Sequence, residues 1–155
     1  MNEQIKSINL RVYGIVINEK HQLLVTDEFR LGLRMTKLPG GGLNPGEGTI
    51  DCLKREFMEE LGQEIIGIDH FYTTDYFQVT SLLKEPQQLI SIYYLVKILS
   101  WHQIETKEKP FDFEDVDGAQ SFRWVDLESF QTVELTFPID RKVLKMLKEK
   151  NFSNR

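Results

Sequence analysis

The sequence has 155 residues, which is long enough for a single domain, residues 1–155, with a substantial apolar core. Its hydrophobic fraction of 41% and charged fraction of 28% are typical of water-soluble globular proteins. The net charge of −5, with no basic stripe, argues against binding of nucleic-acid polymers. The single cysteine, Cys52, excludes an internal disulfide and fits a reducing compartment. No apolar run approaches the roughly 20 residues of a membrane span, so no membrane association and a cytoplasmic location are expected.

The first part of the chain predicts strands. Residues 7–18 are β-branched and apolar, residues 19–21 form a turn, and residues 22–29 are expected to pair back as a hairpin. A short strand at residues 32–38 then leads into a run of glycines. Arg34 and Lys37 lie just before that run and are candidates to contact the phosphates of a bound substrate. The alternative for both is surface charge on an edge strand.

The segment from Leu38 to Gln63 combines a glycine loop, a turn and a helix. Three consecutive glycines, Gly40–Gly42, allow tight folding and close approach of a ligand to the backbone. A second turn at residues 44–46 leads to Glu47. Thr49 is predicted to cap a helix that runs to about Leu61, and Gly62 is predicted to end it.

That helix carries an apolar stripe beside an acidic one. The residues predicted to face the core at helical spacing are Ile50, Leu53, Phe57 and Leu61. Glu56, Glu59 and Glu60 share the adjoining stripe, where like charges repel by a few tenths of a kcal/mol per pair. Crowded carboxylates indicate a site for hard divalent cations, which prefer oxygen ligands. From this clustering alone, a solvated acidic face is an equally good interpretation.

The spacing of Gly41, Glu47 and residues 55–62 resembles the Nudix box, the signature of Nudix hydrolases. Only the position after Gly62 departs from the pattern, because an apolar residue is usual where this chain has Gln63. The resemblance implies an α/β/α sandwich with a mixed β-sheet. The predicted order of strands, helix, strands and terminal helix agrees with that fold.

The resemblance also implies a reaction. Nudix hydrolases cleave a nucleoside diphosphate linked to another moiety, with water attacking phosphorus and Mg²⁺ or Mn²⁺ as the cofactor. Glu56, Glu59 and Glu60 match the metal-binding glutamates of the family. The backbone carbonyl of Gly41 is a candidate further ligand, and Glu47 is a candidate for a direct or supporting role.

Two further assignments follow from the resemblance. Arg55 matches the family's arginine that holds the loop glutamate, here Glu47, and its position predicts that it points away from the carboxylate centre. The general base is left open between Glu59 and a carboxylate of the long acidic loop at residues 105–118. The loop candidates are Glu114, Asp115 and Asp117.

The second half of the chain predicts more strands and a last helix. The longest strand covers residues 89–99, and its alternation predicts that Ile90 and Ile92 face the core while Ser91 and Tyr93 border a cleft. Residues 80–88 and 105–118 are predicted loops, and the latter is either a plain solvated loop or a candidate lid. The final helix is predicted to begin at Pro138. Aromatic candidates to stack on a nucleobase are Phe71, Tyr72, Tyr76 and Phe77.

The sequence therefore predicts an Mg²⁺-dependent pyrophosphohydrolase acting on a small nucleotide. Nucleoside triphosphates and nucleotide sugars both remain open as substrates, and the number of metal ions and a homodimeric assembly are left open as well. The alternative is a Nudix-type domain that binds a nucleotide or another ligand in a regulatory role without catalysis. Retention of every carboxylate of the box favours the enzyme.

Overall fold

The computed structural model describes residues 5–80 and 85–153 of the chain. Part of the predicted loop at residues 80–88 therefore lies outside the described residues. The elements are strands β1 Ile8–Val16, β2 Gln22–Arg30, β3 Leu33–Lys37, β4 Gly40–Gly42, β5 Ile65–Thr73, β6 Gln88–Ile98 and β7 Ala119–Asp126, with helices α1 Thr49–Leu61 and α2 Pro138–Ser153. Short 3₁₀ turns lie at Trp101–Gln103 and Thr132–Glu134. No helix within the described residues is long and apolar enough to cross a membrane.

The architecture is α/β with a mixed sheet, as predicted. Its strands divide between a four-stranded sheet of order β4-β1-β6-β5 and a three-stranded sheet of order β3-β2-β7. The predicted hairpin between the first two strands is wrong. A single bridge, Ile17 to Leu23, joins them before β2 pairs along its length with β3 and β7. Apolar alternation predicts a strand but not its partner, which is why the pairing was not predictable locally.

The chain divides into two compact units, and the first consists of the described parts of Met1–Gly14 and Gly40–Leu99. Here α1 packs through Cys52, Leu53 and Phe57, each at most 1% exposed. A Cβ atom at Gly14 would lie 2.4 Å from the ring of Phe57, so a glycine on β1 is needed for this contact. Ile50, predicted to be buried, is 44% exposed, because Cys52 takes its place in the apolar face.

The ends of α1 are set by two glycines and one hydroxyl contact. The cap residue is Gly48 rather than Thr49, and its backbone N–H donates to Asp51 Oδ2 at 2.9 Å. The hydroxyl of Thr49 is instead 2.6 Å from that of Tyr94 on β6, which ties the start of the helix to the sheet. At the other end Gly62 adopts φ 62° and its N–H donates to the carbonyl of Met58, as a helix-ending glycine should.

Strand β6 buries the face that its alternation predicts only in its second half, at Val96 and Ile98, whereas the opposite face is buried in its first half. Tyr93 and Ser91 are almost fully buried, and the ring of Tyr93 stacks on Tyr13 of β1 at a centroid distance of 5.1 Å. Ile90 and Ile92 are only partly buried. Residues of both faces of β6 are therefore buried, and alternation alone does not identify the core face of such a strand.

The second unit comprises the described parts of Ile15–Pro39 and Ser100–Arg155. A buried ion pair crosses its sheet: Arg123 Nε and Nη2 donate to the two carboxylate oxygens of Asp27 at 2.6 and 3.0 Å. Asp27 also accepts from the hydroxyl of Thr36 at 2.7 Å. Helix α2 begins at Pro138, as predicted, and packs through Ile139, Val143, Leu144 and Leu147.

Candidate active site

Arg55 on α1 is the hub of a cluster of acidic and backbone groups in the first unit. Its Nε and Nη2 donate to the two carboxylate oxygens of Glu47 at 3.0 and 2.7 Å. Nη1 donates to Glu56 Oε1 at 3.0 Å and to Glu59 Oε2 at 3.3 Å, and Nη2 donates to the carbonyl of Gly42 at 3.1 Å. A guanidinium has five N–H donors, and these five oxygen contacts match them.

The contact between Arg55 and Glu47 that the resemblance implies is present. The prediction that Arg55 points away from the carboxylate centre is wrong, because its Nη1 lies between Glu56 and Glu59. A one-turn helical spacing places Arg55 near Glu59, but it does not reveal that the guanidinium also reaches the adjacent residue. The arginine therefore offsets part of the repulsion expected on this face.

Glu47 is held as a carboxylate by its neighbours. The two-point contact with Arg55, followed by the backbone N–H of Asn44 at 2.8 Å, lowers the pKa of Glu47 from 4.5 to about 2. Hydrogen bonds to the charged form of an acid favour that form. Glu47 thus stays ionised throughout the neutral range and locks the turn before α1 onto the helix.

Glycines let the carboxylate of Glu56 lie against β4. A Cβ atom at Gly41 would be 2.4 Å from Glu56 Oε1 and 2.8 Å from Oε2, closer than real contacts allow. Gly40 has φ 151°, and a Cβ there would lie 2.1 Å from the carbonyl oxygen of Val12. The side chain of Glu56 is 13% exposed. The glycine loop is therefore shaped around this glutamate.

The other two glutamates of the box lie further along the helix. The side chain of Glu59 is 60% exposed, and Glu60 is partly buried. Among the described residues, no group of three or more His, Cys, Asp and Glu side chains is assembled so that it could hold a metal ion as it stands. Carboxylate and backbone oxygens around Gly41 and Glu56 are nonetheless the hard donors that Mg²⁺ and Mn²⁺ prefer. The donor chemistry fits such an ion, although the three carboxylates do not converge.

Cys52 lies within the same cluster but is a packed thiol. It is fully buried, and its Sγ is 3.5 Å from the carbonyl oxygen of Gly42. Burial, with the negative charge of Glu47 as a second cause, raises the pKa of Cys52 to about 11. A protonated, buried thiol is a poor nucleophile, so Cys52 acts here as a small core residue.

The basic residues predicted to contact substrate lie in the second unit and have acidic partners there. Arg34 forms a two-point contact with Asp115 and lies over the ring of Phe111 at 5.3 Å. Lys37 is 3.1 Å from Glu28, and both side chains are at most 10% exposed. Lys37 is therefore not the surface charge of the alternative interpretation. Contact of either residue with substrate stays a prediction.

The acidic loop is attached to the hairpin of β2 and β3. Besides the contact between Arg34 and Asp115, the carboxylate of Asp117 accepts the backbone N–H of Leu31 at 2.9 Å. Two of the three loop carboxylates considered as general bases thus have structural partners, while Glu114 is exposed. Glu59 remains the candidate within the helix.

The aromatic candidates lie on or after β5. Tyr76 and Phe77 are 42% and 50% exposed, and the hydroxyl of Tyr72 donates to Asp75 at 2.6 Å. Their exposure is compatible with stacking on a nucleobase, and this role stays a prediction.

Sequence reasoning missed Arg11 and Tyr13 on β1. Arg11 Nε donates to the hydroxyl of Tyr13 at 2.8 Å, and Arg11 is paired in register with Gly42. The one indication in the sequence was a charged residue, Arg11, within a largely apolar strand. Its place opposite the glycine loop follows only from the pairing of β1 with β4.

An α/β fold in which a glycine loop lies against the first glutamate of an acidic face on the following helix defines a hydrolase of the Nudix class. A family model described as "NUDIX domain" matches residues 8–147, so the chain belongs to the Nudix family. The match extends well beyond the 23 residues of the box.

A similar sequence and several similar structures agree with this assignment. The chain is 32% identical over 101 residues to the nucleoside triphosphatase NudI of Enterobacter sp. (strain 638), an alignment that covers 63% of this chain and 66% of that protein, slightly less than two thirds. A Nudix hydrolase from Nitrosomonas europaea superposes with a TM-score of 0.64 at 16% identity over 94% of this chain and 90% of that one. A MutT protein from Methanosarcina mazei Go1 gives 0.60 at 20% identity over 94% and 96%. At such identities these structures show the fold alone.

Proposed function

We propose that the protein is an Mg²⁺- or Mn²⁺-dependent pyrophosphohydrolase that cleaves nucleoside triphosphates to nucleoside monophosphate and pyrophosphate. Membership of the Nudix family supports the reaction class. The name of the relative, a nucleoside triphosphatase, favours triphosphates over nucleotide sugars. The observation that carries the proposal is the Arg55 cluster, which fixes Glu47 and Glu56 beside the glycine loop.

The residues of the box have separate tasks in this proposal. Glu56, Glu60 and Glu59, with the backbone of Gly41, would hold the ion, which when bound neutralises phosphate charge and acidifies the attacking water. Arg55 orients Glu56 directly, through the contact of 3.0 Å.

The proton released by the attacking water needs an acceptor. Glu59 is the proposed general base, because its carboxylate is 60% exposed and Arg55 holds one of its oxygens. Water forms the new bond to phosphorus, the bond from phosphorus to the bridging oxygen breaks, and pyrophosphate leaves with that oxygen. The contact with Arg55 and the backbone N–H of Asn44 lower the pKa of Glu47 to about 2, which makes it a weaker proton acceptor than an ordinary carboxylate.

The partners follow from the same chemistry. A net charge of −5 favours a small nucleotide over a nucleic-acid polymer as the ligand.

The family model covers parts of both compact units, which supports one functional domain. The single, buried cysteine supports a cytoplasmic location.

The test is hydrolysis of a panel of ribo- and deoxyribonucleoside triphosphates and nucleotide sugars with Mg²⁺, Mn²⁺ or EDTA. We expect metal-dependent release of nucleoside monophosphate and pyrophosphate from triphosphates. Turnover of nucleotide sugars alone would show that they, and not nucleoside triphosphates, are the substrates. Nucleotide binding by folded protein without any turnover would show that the protein is a binding domain and not an enzyme.

A further inference from the structure

We propose that the hydrogen bond between Thr49 and Tyr94 positions the glutamates of α1 for metal binding, by fixing the rotation of the helix about its own axis. Both are positioning residues, because neither is a proposed ligand of the ion or of the substrate. The inference rests on the proposed function in that α1 supplies the carboxylates for the ion. Thr49, Tyr94 and the whole of α1 belong to the first compact unit.

Thr49 lies on the same side of α1 as two glutamates of the box. It is the first residue of the helix, and Glu56 and Glu60 follow about two and three turns later. At about 3.6 residues per turn, both glutamates are within about 20° of Thr49 around the helix axis. A contact that holds Thr49 against the sheet therefore fixes the direction in which this side of the helix points.

A small rotation of the helix is enough to disturb a metal site. Side chains end about 5–6 Å from the axis of a helix, so a rotation of about 10° moves a carboxylate by about 1 Å. Distances between a metal ion and its ligands hold to about 0.2 Å. A rotation too small to expose the buried side of the helix is thus large enough to take a carboxylate away from the ion.

The hydrogen bond supplies a directional contact that the packing of α1 lacks. The buried side of the helix consists of Cys52, Leu53 and Phe57, and apolar burial is not directional. The hydroxyl oxygens of Thr49 and Tyr94 are 2.6 Å apart, and a hydrogen bond weakens steeply when its angle departs from the preferred range. The pair therefore defines the rotation at the start of the helix.

Tyr94 is itself held in place by the neighbouring strand. It is paired in register with His70 of β5, and the two rings lie at 85° with their centres 5.8 Å apart. His70 Nε2 is 2.8 Å from the hydroxyl oxygen of Thr73. A tyrosine side chain has two rotatable angles, so a ring packed in this way presents its hydroxyl at a defined point. The sheet thus offers Thr49 a rigid partner.

The alternative interpretation is that this hydrogen bond only stabilises the fold. Thr49→Val and Tyr94→Phe would then lower the melting temperature, and the folded protein would bind a metal ion as tightly as before. Thr74→Val is the matched control, because it removes a hydroxyl that accepts the N–H of Ser91, on the same strand as Tyr94, at 3.0 Å.

The first experiment measures Mn²⁺ binding without nucleotide, from the electron paramagnetic resonance signal of the free ion, together with melting temperatures. The proteins are the wild type, Thr49→Val, Thr49→Ser, Tyr94→Phe, the double variant of Thr49→Val with Tyr94→Phe, and Thr74→Val. We expect Thr49→Val and Tyr94→Phe each to raise the Kd for Mn²⁺ by about fivefold, the equivalent of one hydrogen bond. The double variant should match the single variants, because the two hydroxyls act as one pair.

The remaining variants separate positioning from stability. Thr49→Ser keeps the hydroxyl and should bind Mn²⁺ as the wild type does. Thr74→Val should do the same, although its melting temperature falls. An unchanged Kd in Thr49→Val and Tyr94→Phe, an equal rise in Thr74→Val, or no binding by the wild type overturns the inference.

The second experiment measures, on the best triphosphate of the panel, KM and the Mg²⁺ concentration that gives the half-maximal rate. We expect Thr49→Val and Tyr94→Phe to raise this Mg²⁺ concentration by about fivefold while KM changes by less than about twofold. Hydrolysis with the same Mg²⁺ requirement in every variant overturns the inference and leaves the proposed function intact. A rise in the Kd for Mn²⁺ in Thr49→Val that is absent in Thr49→Ser, in a protein that hydrolyses no nucleotide, supports the positioning pair and overturns the proposed function alone.

Discussion

Arg55 and Glu47 are joined by two parallel hydrogen bonds, Nε to Oε2 at 3.0 Å and Nη2 to Oε1 at 2.7 Å. The pair fastens the turn that precedes α1 onto the helix itself. Nη1 of the same guanidinium reaches Glu56, so one side chain contacts both the turn and the glutamate beside Gly41, and we expect the two to be coupled.

Replacing Arg55 by lysine tests this coupling. An ammonium group has three donors around one point and cannot repeat the two-point contact while also reaching Glu56. We expect kcat/KM for nucleotide hydrolysis to fall by at least about tenfold and the melting temperature to fall by about 2–4 °C for each kcal/mol lost. The matched control is Arg30→Lys, whose side chain is 63% exposed. Equal activity in the two variants would contradict the coupling.

Glu47 should contribute stability in a defined pH range. Its pKa in the folded protein, about 2, is below its ordinary value of 4.5, so the folded state favours the ionised form. The contribution is complete above pH 4.5 and is lost as the pH falls from 4.5 to 2. We expect the difference in unfolding free energy between wild type and Glu47→Gln to be largest above pH 5 and to approach zero near pH 2.

Urea unfolding at several pH values measures this difference, with Glu108→Gln on the exposed loop as the control. A difference that stays constant from pH 6 to pH 2 would mean that the contact with Arg55 does not set the ionisation of Glu47.

Gly41 should not tolerate a side chain. The methyl group of Gly41→Ala would lie 2.4 Å from Glu56 Oε1, so the carboxylate must move away from β4. We expect activity to fall at least about tenfold while the protein remains folded. Gly67→Ala on β5 is the control, since its methyl group would meet only the side chain of Lys97 at an ordinary distance of 3.4 Å. The melting temperatures of both variants are measured to confirm that each is folded when its activity is compared. Full activity in Gly41→Ala would contradict a role for Glu56 in the active site.

The spacing within the box predicted the local features of the site. Gly62 as the end of the helix followed from the residues themselves, while the place of Gly41 near the glutamates and the contact of Arg55 with Glu47 were implied by the resemblance to the Nudix box. Chain geometry over short distances along the sequence is nearly determined by the helix repeat and by the φ angles that glycine permits.

Other features depended on pairing between distant residues and could not be predicted. Arg11 meets Gly42 only through the register of β1 and β4, and Tyr93 is buried where its ring stacks on Tyr13 of another strand. The cap of α1 moved to Gly48 because the hydroxyl of Thr49 bonds Tyr94 from another strand. Local propensity is overridden where such tertiary contacts compete with it.

The buried pair of Asp27 and Arg123 should dominate the stability of the second unit. Asp27 is fully buried and accepts two hydrogen bonds from Arg123, so Asp27→Asn leaves a buried arginine without its counter-charge. Breaking a buried pair on one side costs about 3–5 kcal/mol. Urea unfolding should show this loss, whereas Asp112→Asn in the exposed loop should change stability by less than about 0.5 kcal/mol. A loss below about 1 kcal/mol would contradict the structural role.

Metal binding should stabilise the protein through Glu60 and Glu56. An ion that binds only the folded state adds RT ln(1 + [L]/Kd), about 2.7 kcal/mol at a hundredfold excess over Kd. We therefore expect Mg²⁺ or Mn²⁺ to raise the melting temperature of the wild type. Glu60→Gln should blunt this rise and lower kcat by orders of magnitude. Glu149→Gln on α2, an exposed carboxylate, should do neither.

The melting temperature of Glu56→Gln in EDTA tests whether Glu56 only repels the other carboxylates or is also attracted by Arg55. Since Arg55 Nη1 lies 3.0 Å from Glu56 Oε1, Glu56→Gln removes an attraction as well as a repulsion and should not raise the melting temperature without metal. With metal, Glu56→Gln should lose the response as Glu60→Gln does. Metal titrations followed by thermal unfolding give both quantities for each variant. A full metal response in both variants would place the ion elsewhere in the protein, and the glutamates of the box would then need another role.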